Sequence, residues 1–123
     1  MPHLATEPEQ HLGRHAGATQ HCVALVRHAA DLGPTSTWRQ GVQVRGADLP
    51  RGTVIATFNA AGRYPNTMSG AAHAAIYLDQ TPDGLRVIDQ WLLHPAQERI
   101  IRFRGGWGDP VNDGDAFYVV ELA

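Results

Sequence analysis

Disulfides, lysine and long apolar runs are what this chain does without. Its 123 residues include one cysteine, Cys22, so no internal disulfide framework can hold the fold. A chain of this length forms one domain and buries a core without disulfides or a structural metal. A single thiol leaves the redox compartment open. Lysine is absent: all 10 basic residues are arginine, a pattern of GC-rich coding that carries no functional information. The formal charge of −2 argues against general affinity for nucleic acid. No apolar stretch approaches the roughly 20 residues of a membrane span, so no membrane insertion is expected. The first residues have neither the basic start nor the apolar centre of a secretory signal. The expectation is a protein cytoplasmic as made, carried by a leaderless route if its substrate lies outside the cytoplasm.

What is present centres on the stretch from Gln20 to Leu32. Apolar residues recur at Cys22, Leu25, Val26 and Ala29, which is helical spacing, and Gly33-Pro34 stops the run. The lone thiol therefore sits in the first turn of a largely buried helix. Unpaired backbone N–H groups and the positive end of the helix dipole favour thiolate there. A free cysteine is equally at home as a small core hydrophobe. A histidine partner elsewhere in the chain separates the two readings.

Before that helix, Met1 to Thr19 mix proline, histidine, glutamate and glycine without a period, and read as a flexible arm (residues 1–19) ahead of a domain at 20–123. After it, Thr35 to Gly41 reads as one helical turn with Trp38 as its anchor. Val42 to Val44 and Thr53 to Phe58 read as strands, separated by the turn Leu49-Pro50-Arg51-Gly52. From Asn59 to Ala72 runs a long connection with no periodicity, a length that in a small domain marks disorder or a binding site. His73 to Leu78 and Leu85 to Trp91 form a hairpin around Thr81-Pro82-Asp83-Gly84. Arg99 to Phe103 and Ala116 to Leu122 complete a mostly antiparallel sheet of five to six strands, so the class is α+β.

His73 opens the first hairpin strand and shares a face with Ala75 and Tyr77. If Tyr77 meets Leu85, His73 meets Asp89, and the carboxylate can bond the imidazole. A slip of one residue presents Gln90 instead, and His94 is a further alternative. A carboxylate both orients the ring and stabilises the imidazolium, which favours Asp89. Cys22, His73 and Asp89 are then the parts of a thiol amidohydrolase. Thiolate attacks an amide carbonyl, the histidine protonates the leaving amine, and the acid fixes the tautomer. The Cys22 backbone N–H, with Gln20 or Gln90 as auxiliary donor, is the candidate oxyanion site. Tyr64 and Asn66 in the long connection, with Trp91, are candidate substrate-binding residues, although Tyr64-Pro65-Asn66 reads equally as a stiff turn.

These segments, in order, resemble the papain-like cell-wall hydrolases of the CHAP and NlpC type. Gln20-His21-Cys22-Val23-Ala24-Leu25-Val26 resembles their Gly-Gln-Cys helix start, with His21 where glutamine normally precedes the cysteine. Leu49-Pro50-Arg51-Gly52-Thr53-Val54-Ile55-Ala56 resembles their Pro-x-Gly-Asp lead into a strand, with Thr53 for the acid. His73-Ala74-Ala75-Ile76-Tyr77-Leu78 and Val87-Ile88-Asp89-Gln90-Trp91 resemble the histidine and third-residue strands. The nearest likeness is to a small proteobacterial set of stand-alone domains. It implies a papain-like minimal domain, no cofactor, and cleavage of an amide in peptidoglycan stem peptides. Secreted antibacterial effectors share the fold, and for them an immunity or carrier protein would be the partner. Two rival classes are an inactive relative that only binds wall peptide or a protein, and a zinc site drawn from Cys22, His21 and His73, with Asp89 as an optional further ligand.

Overall fold

A computed structural model describes residues 3–65 and 70–122. One helix, α1 (Cys22–Ala30), lies on a six-stranded sheet of β1 (Trp38–Gln43), β2 (Val54–Thr57), β3 (Ala74–Thr81), β4 (Gly84–Trp91), β5 (His94–Arg102) and β6 (Phe117–Leu122). The strand order is β1-β6-β2-β3-β4-β5, and every pairing is antiparallel. This is the expected α+β architecture.

The helix forms where the apolar spacing placed it. Leu25 and Val26 are fully buried, and they pack with Val54, Ala74, Ile76 and Ile88 on one face of the sheet. Asp31, in the left-handed conformation (φ 54°), ends the helix before Gly33 is reached. Ile55, Ala75, Tyr77, Leu85, Val87 and Phe117 form a second core on the opposite face. The two faces follow from side-chain alternation along β2, β3 and β4.

Three expectations change. The segment read as a flexible arm is laid against the domain from residue 3 onward. The Ala5 N–H donates to the Gly52 carbonyl (2.8 Å), the Val54 N–H to that of His3 (2.8 Å), and Gly13 and Arg14 exchange backbone bonds with Ala96. Ala5, His11 and Ala16 are buried. Small residues held through the backbone leave no hydrophobic period to read. Trp38 is buried as expected, but it opens β1, and the turn before it is limited to Thr35–Thr37. Finally, β5 starts at His94, because Trp91 to His94 is a tight turn with Leu93 at φ 68°. No glycine, asparagine or aspartate marks that turn, and a leucine there is uncommon.

Gly52 shows why the arm is held. Its φ is 98°, and a Cβ there would stand 2.3 Å from the Ala5 carbonyl oxygen. Gly52→Ala is therefore expected to lower stability by about 2 kcal/mol, combining left-handed strain with displacement of the 3–5 segment. A denaturant melt checks this, and an unchanged midpoint would show that the contact contributes nothing.

Candidate active site

Position 73 lies at the mouth of β3, and its backbone is clamped by Thr57 on β2. The His73 N–H donates to Thr57 Oγ1 (3.0 Å), the Thr57 hydroxyl donates to the Ala71 carbonyl (2.8 Å), and the Thr57 N–H to the His73 carbonyl (3.0 Å). The histidine thus leaves the long connection at a fixed angle.

The hairpin register differs from the expected one and still delivers the carboxylate. Tyr77 pairs with Val87 and not Leu85, and Thr81 closes on Gly84. The register found at the turn would place Gln90 on the His73 face. A bulge between Tyr77 and Asp79 shifts the pairing by one residue and restores Asp89 to it. The net displacement from the expected pairing is two residues along the strand, which preserves the face. His73 Nε2 and Asp89 Oδ2 are 2.7 Å apart, and Asp89 is fully buried.

Cys22, the first residue of α1, reaches the same place from the other side. As a first-turn residue its N–H has no partner within the helix. Burial raises the pKa of its thiol, but a hydrogen bond from His73 and the charge of that ring outweigh this. With help from the Ala74 N–H and the Tyr64 hydroxyl, the pKa falls below the ordinary thiol value. For His73, burial opposes the charged ring. Hydrogen bonds to Asp89 and Cys22 and the charges of both groups prevail, and its pKa is pushed up to about 9. Nε2 is committed to Asp89, so Nδ1 is the ring nitrogen left for the sulfur. The ring thus favours its imidazolium form and draws the thiol toward thiolate.

Tyr64 stands 3.8 Å from the sulfur through its hydroxyl, and its ring packs edge-on against Trp38 at 5.1 Å. Burial, then the charge of Cys22 and its hydrogen bond, raise the pKa of the phenol, so it stays a neutral donor facing a thiolate. Cys22, His73, Tyr64 and Trp91 all line one cleft of about 890 Å³, which continues along α1 past Arg27 and His28. It is large enough for a peptide segment.

The remaining expected site residues fall elsewhere. Gln90 points to the helix side of the sheet. Its amide nitrogen donates to the carbonyls of Ala16 (3.0 Å) and His21 (2.9 Å), and its oxygen accepts from the Ala16 N–H (2.8 Å). It ties down the chain leading into Cys22 and does not face the cleft as an oxyanion donor. Gln20 accepts from the Leu93 N–H (3.1 Å) and so braces the strained turn after β4. His94 stacks on Trp91 at 4.5 Å. Asn66 lies outside the described residues. The zinc reading finds no support in the side chains: among the described residues, no three of histidine, cysteine, aspartate or glutamate gather in a group able to hold a metal ion.

Sequence reasoning overlooked Thr57 and Arg99. Arg99 on β5 donates from Nε to Asp89 Oδ2 (2.7 Å), the same oxygen that meets His73, and its guanidinium lies 5.1 Å from the centre of the Trp91 ring. An arginine on an alternating strand reads as a solvated side chain, and only the pairing of Val87 with Arg99 reveals the contact.

A helix-start thiol meeting a strand imidazole, on an antiparallel sheet with one helix packed against it, defines a papain-like α+β protein. Comparison with known proteins narrows this. The family model described as Domesticated amidase effector 2 matches residues 3–120, and the chain belongs to that family. The Type VI secretion amidase effector 2 protein of Salmonella typhi is 36% identical over 130 residues, spanning 95% of this chain and 93% of the relative. The Domesticated amidase effector 2 of Ixodes scapularis is 40% identical over 106 residues, 82% of this chain and 70% of the relative. The solved structure of Type 6 secretion amidase effector 2 (Tae2) superposes with a TM-score of 0.84 at 34% identity, covering 100% of this chain and 96% of that one.

Proposed function

We propose that this protein is an antibacterial amidase effector that hydrolyses an amide in peptidoglycan stem peptides through a Cys22–His73–Asp89 thiol mechanism, in the manner of CHAP and NlpC-type enzymes. The observation that carries this reading is the convergence of a helix-start thiol, an imidazole and a buried carboxylate at a peptide-sized cleft, in a family named for amidase effectors. The thiolate adds to the amide carbonyl carbon, and the Cys22 N–H, with the Tyr64 hydroxyl, receives the developing oxyanion. His73 gives its proton to the amine nitrogen as the C–N bond breaks, leaving a thioester on Cys22. Water, deprotonated by His73, then attacks the thioester and releases the acid and the thiol. Trp91 forms part of the cleft wall against which the peptide lies.

The Salmonella relative is named for type VI secretion. A similar route would carry this chain to the periplasm of a target cell. A producer exposed to its own effector then needs an immunity protein that covers the cleft.

The test is digestion of purified sacculi and of defined stem peptides, with fragments identified by mass. New amine and carboxyl termini at one amide, undiminished by prior treatment with a chelator, are expected. Intact peptide at stoichiometric protein would remove the hydrolase reading and leave a binding role. Activity lost on chelation and regained with zinc would replace the thiol mechanism by a metal one.

A further inference from the structure

Asp89 does more than meet one partner. It is fully buried, its Oδ1 finds no hydrogen-bond partner among the described residues, and both of its strong contacts converge on Oδ2: His73 Nε2 at 2.7 Å and Arg99 Nε at 2.7 Å. Arg99 is placed by β5, whose pairing sets it opposite Val87 on the face that carries Asp89. Its side chain is about a quarter exposed, so the guanidinium spans from solvent to a carboxylate that has none.

We propose that Arg99 is a positioning residue for the hydrolysis: through Oδ2 it fixes the carboxylate against His73 Nε2 and limits how strongly that carboxylate stabilises the imidazolium, whose Nδ1 proton is the one delivered to the leaving amine. This rests on the thiol reading of the site.

A buried carboxylate with one partner pivots about its Cβ–Cγ bond and carries a large desolvation cost. A second, charge-assisted bond removes the freedom and offsets the cost. An oxygen shared between two cationic donors also attracts each less than it would attract one. His73 must release its proton to the leaving amine, and an imidazolium held by an unshared carboxylate is a weaker acid. The groups facing the ring are few. Cys22 approaches from α1 and Asp89 from β4, while the rings of Trp91 and Phe117 flank it edge-on at 6.4 and 6.2 Å. Arg99 is the charged side chain that β5 brings to this assembly, and Tyr64 faces the sulfur.

Arg99→Gln and Arg99→Lys test this on the full chain, with Cys22→Ala in parallel and folding monitored by circular dichroism. Steady-state rates on a defined stem peptide are measured across pH. For Arg99→Gln, kcat is expected to fall roughly ten- to a hundredfold with KM little changed. The alkaline limb of kcat/KM, where the imidazolium loses its proton, is expected to move up by about one pH unit. Arg99→Lys restores the charge and is expected to return the limb to its wild-type position with most of kcat. A uniform loss at all pH values with the limb unmoved overturns the proposal in favour of a structural part for Arg99. A rise in KM alone overturns it in favour of support for Trp91. If Arg99→Gln does not fold, Arg99→Lys decides: wild-type limb and near wild-type kcat support the proposal, and a large loss of kcat removes it. Activity in Cys22→Ala would instead defeat the thiol reading, so the two failures are told apart.

Discussion

Replacing Cys22 with alanine is expected to lower stem-peptide cleavage by at least about a thousandfold, while the protein remains folded. The size of the effect follows from what is left behind. Tyr64 is the nearest alternative nucleophile, with its hydroxyl 3.8 Å from the sulfur, but burial raises its pKa and keeps it protonated. A neutral phenol held against Trp38 cannot replace a thiolate. The fold should tolerate the change, because Cys22 is only partly buried and packs at the margin of the core beneath α1. Removing one sulfur there costs about 1 kcal/mol or less. Mass analysis of a stem-peptide digest gives the rate, and a thermal melt gives the fold. A folded alanine variant that still cleaves would leave the site without its nucleophile.

The sequence made the helix, the histidine strand and the hairpin turn legible because each carries a local signal. Leu25 and Val26 repeat at helical spacing, and Thr81-Pro82-Asp83-Gly84 has the chemistry of a turn. The placement of Asp89 beside His73 was legible only up to a parity. Alternation tells which residues share a face, and an error of two residues in pairing left the face unchanged. What the pattern could not show is that a bulge near Leu78 selects Asp89 over Gln90, since bulges have no fixed composition. Gln20 and Gln90 illustrate a second limit. Both stand near the thiol in three dimensions, but their amides satisfy backbone groups of Leu93, Ala16 and His21, bonds that depend on where two distant segments cross. The 3–16 segment was illegible for the same reason. It is held by backbone bonds to Gly52 and Ala96 and by small buried side chains, none of which makes a period. Arg99 needed the β4–β5 pairing, and that hairpin turns at Leu92-Leu93 with no turn residue to announce it.

His73→Ala is expected to lower kcat by about 10²- to 10⁴-fold, and to change the thiol itself in a direction that can be measured without substrate. In the intact site, burial pushes the Cys22 pKa up, and the hydrogen bond and charge of His73 are the largest influences drawing it down. Removing the ring leaves burial opposed only by the Ala74 N–H and the Tyr64 hydroxyl, so the thiol is expected to ionise at higher pH than in the wild type. Alkylation by iodoacetamide at neutral pH should therefore be slower in His73→Ala, with its midpoint displaced upward. The wild-type rate of hydrolysis has the complementary signature. His73 holds its proton up to about pH 9, so activity should persist through neutral pH and decline as the pH rises through that value. The decline comes from losing the acid that protonates the leaving amine, since the thiolate itself survives at high pH. Alkylation of the wild type should therefore continue above pH 9 where hydrolysis does not. This divergence separates a thiolate–imidazolium pair from a lone reactive cysteine, for which both rates would rise together with pH.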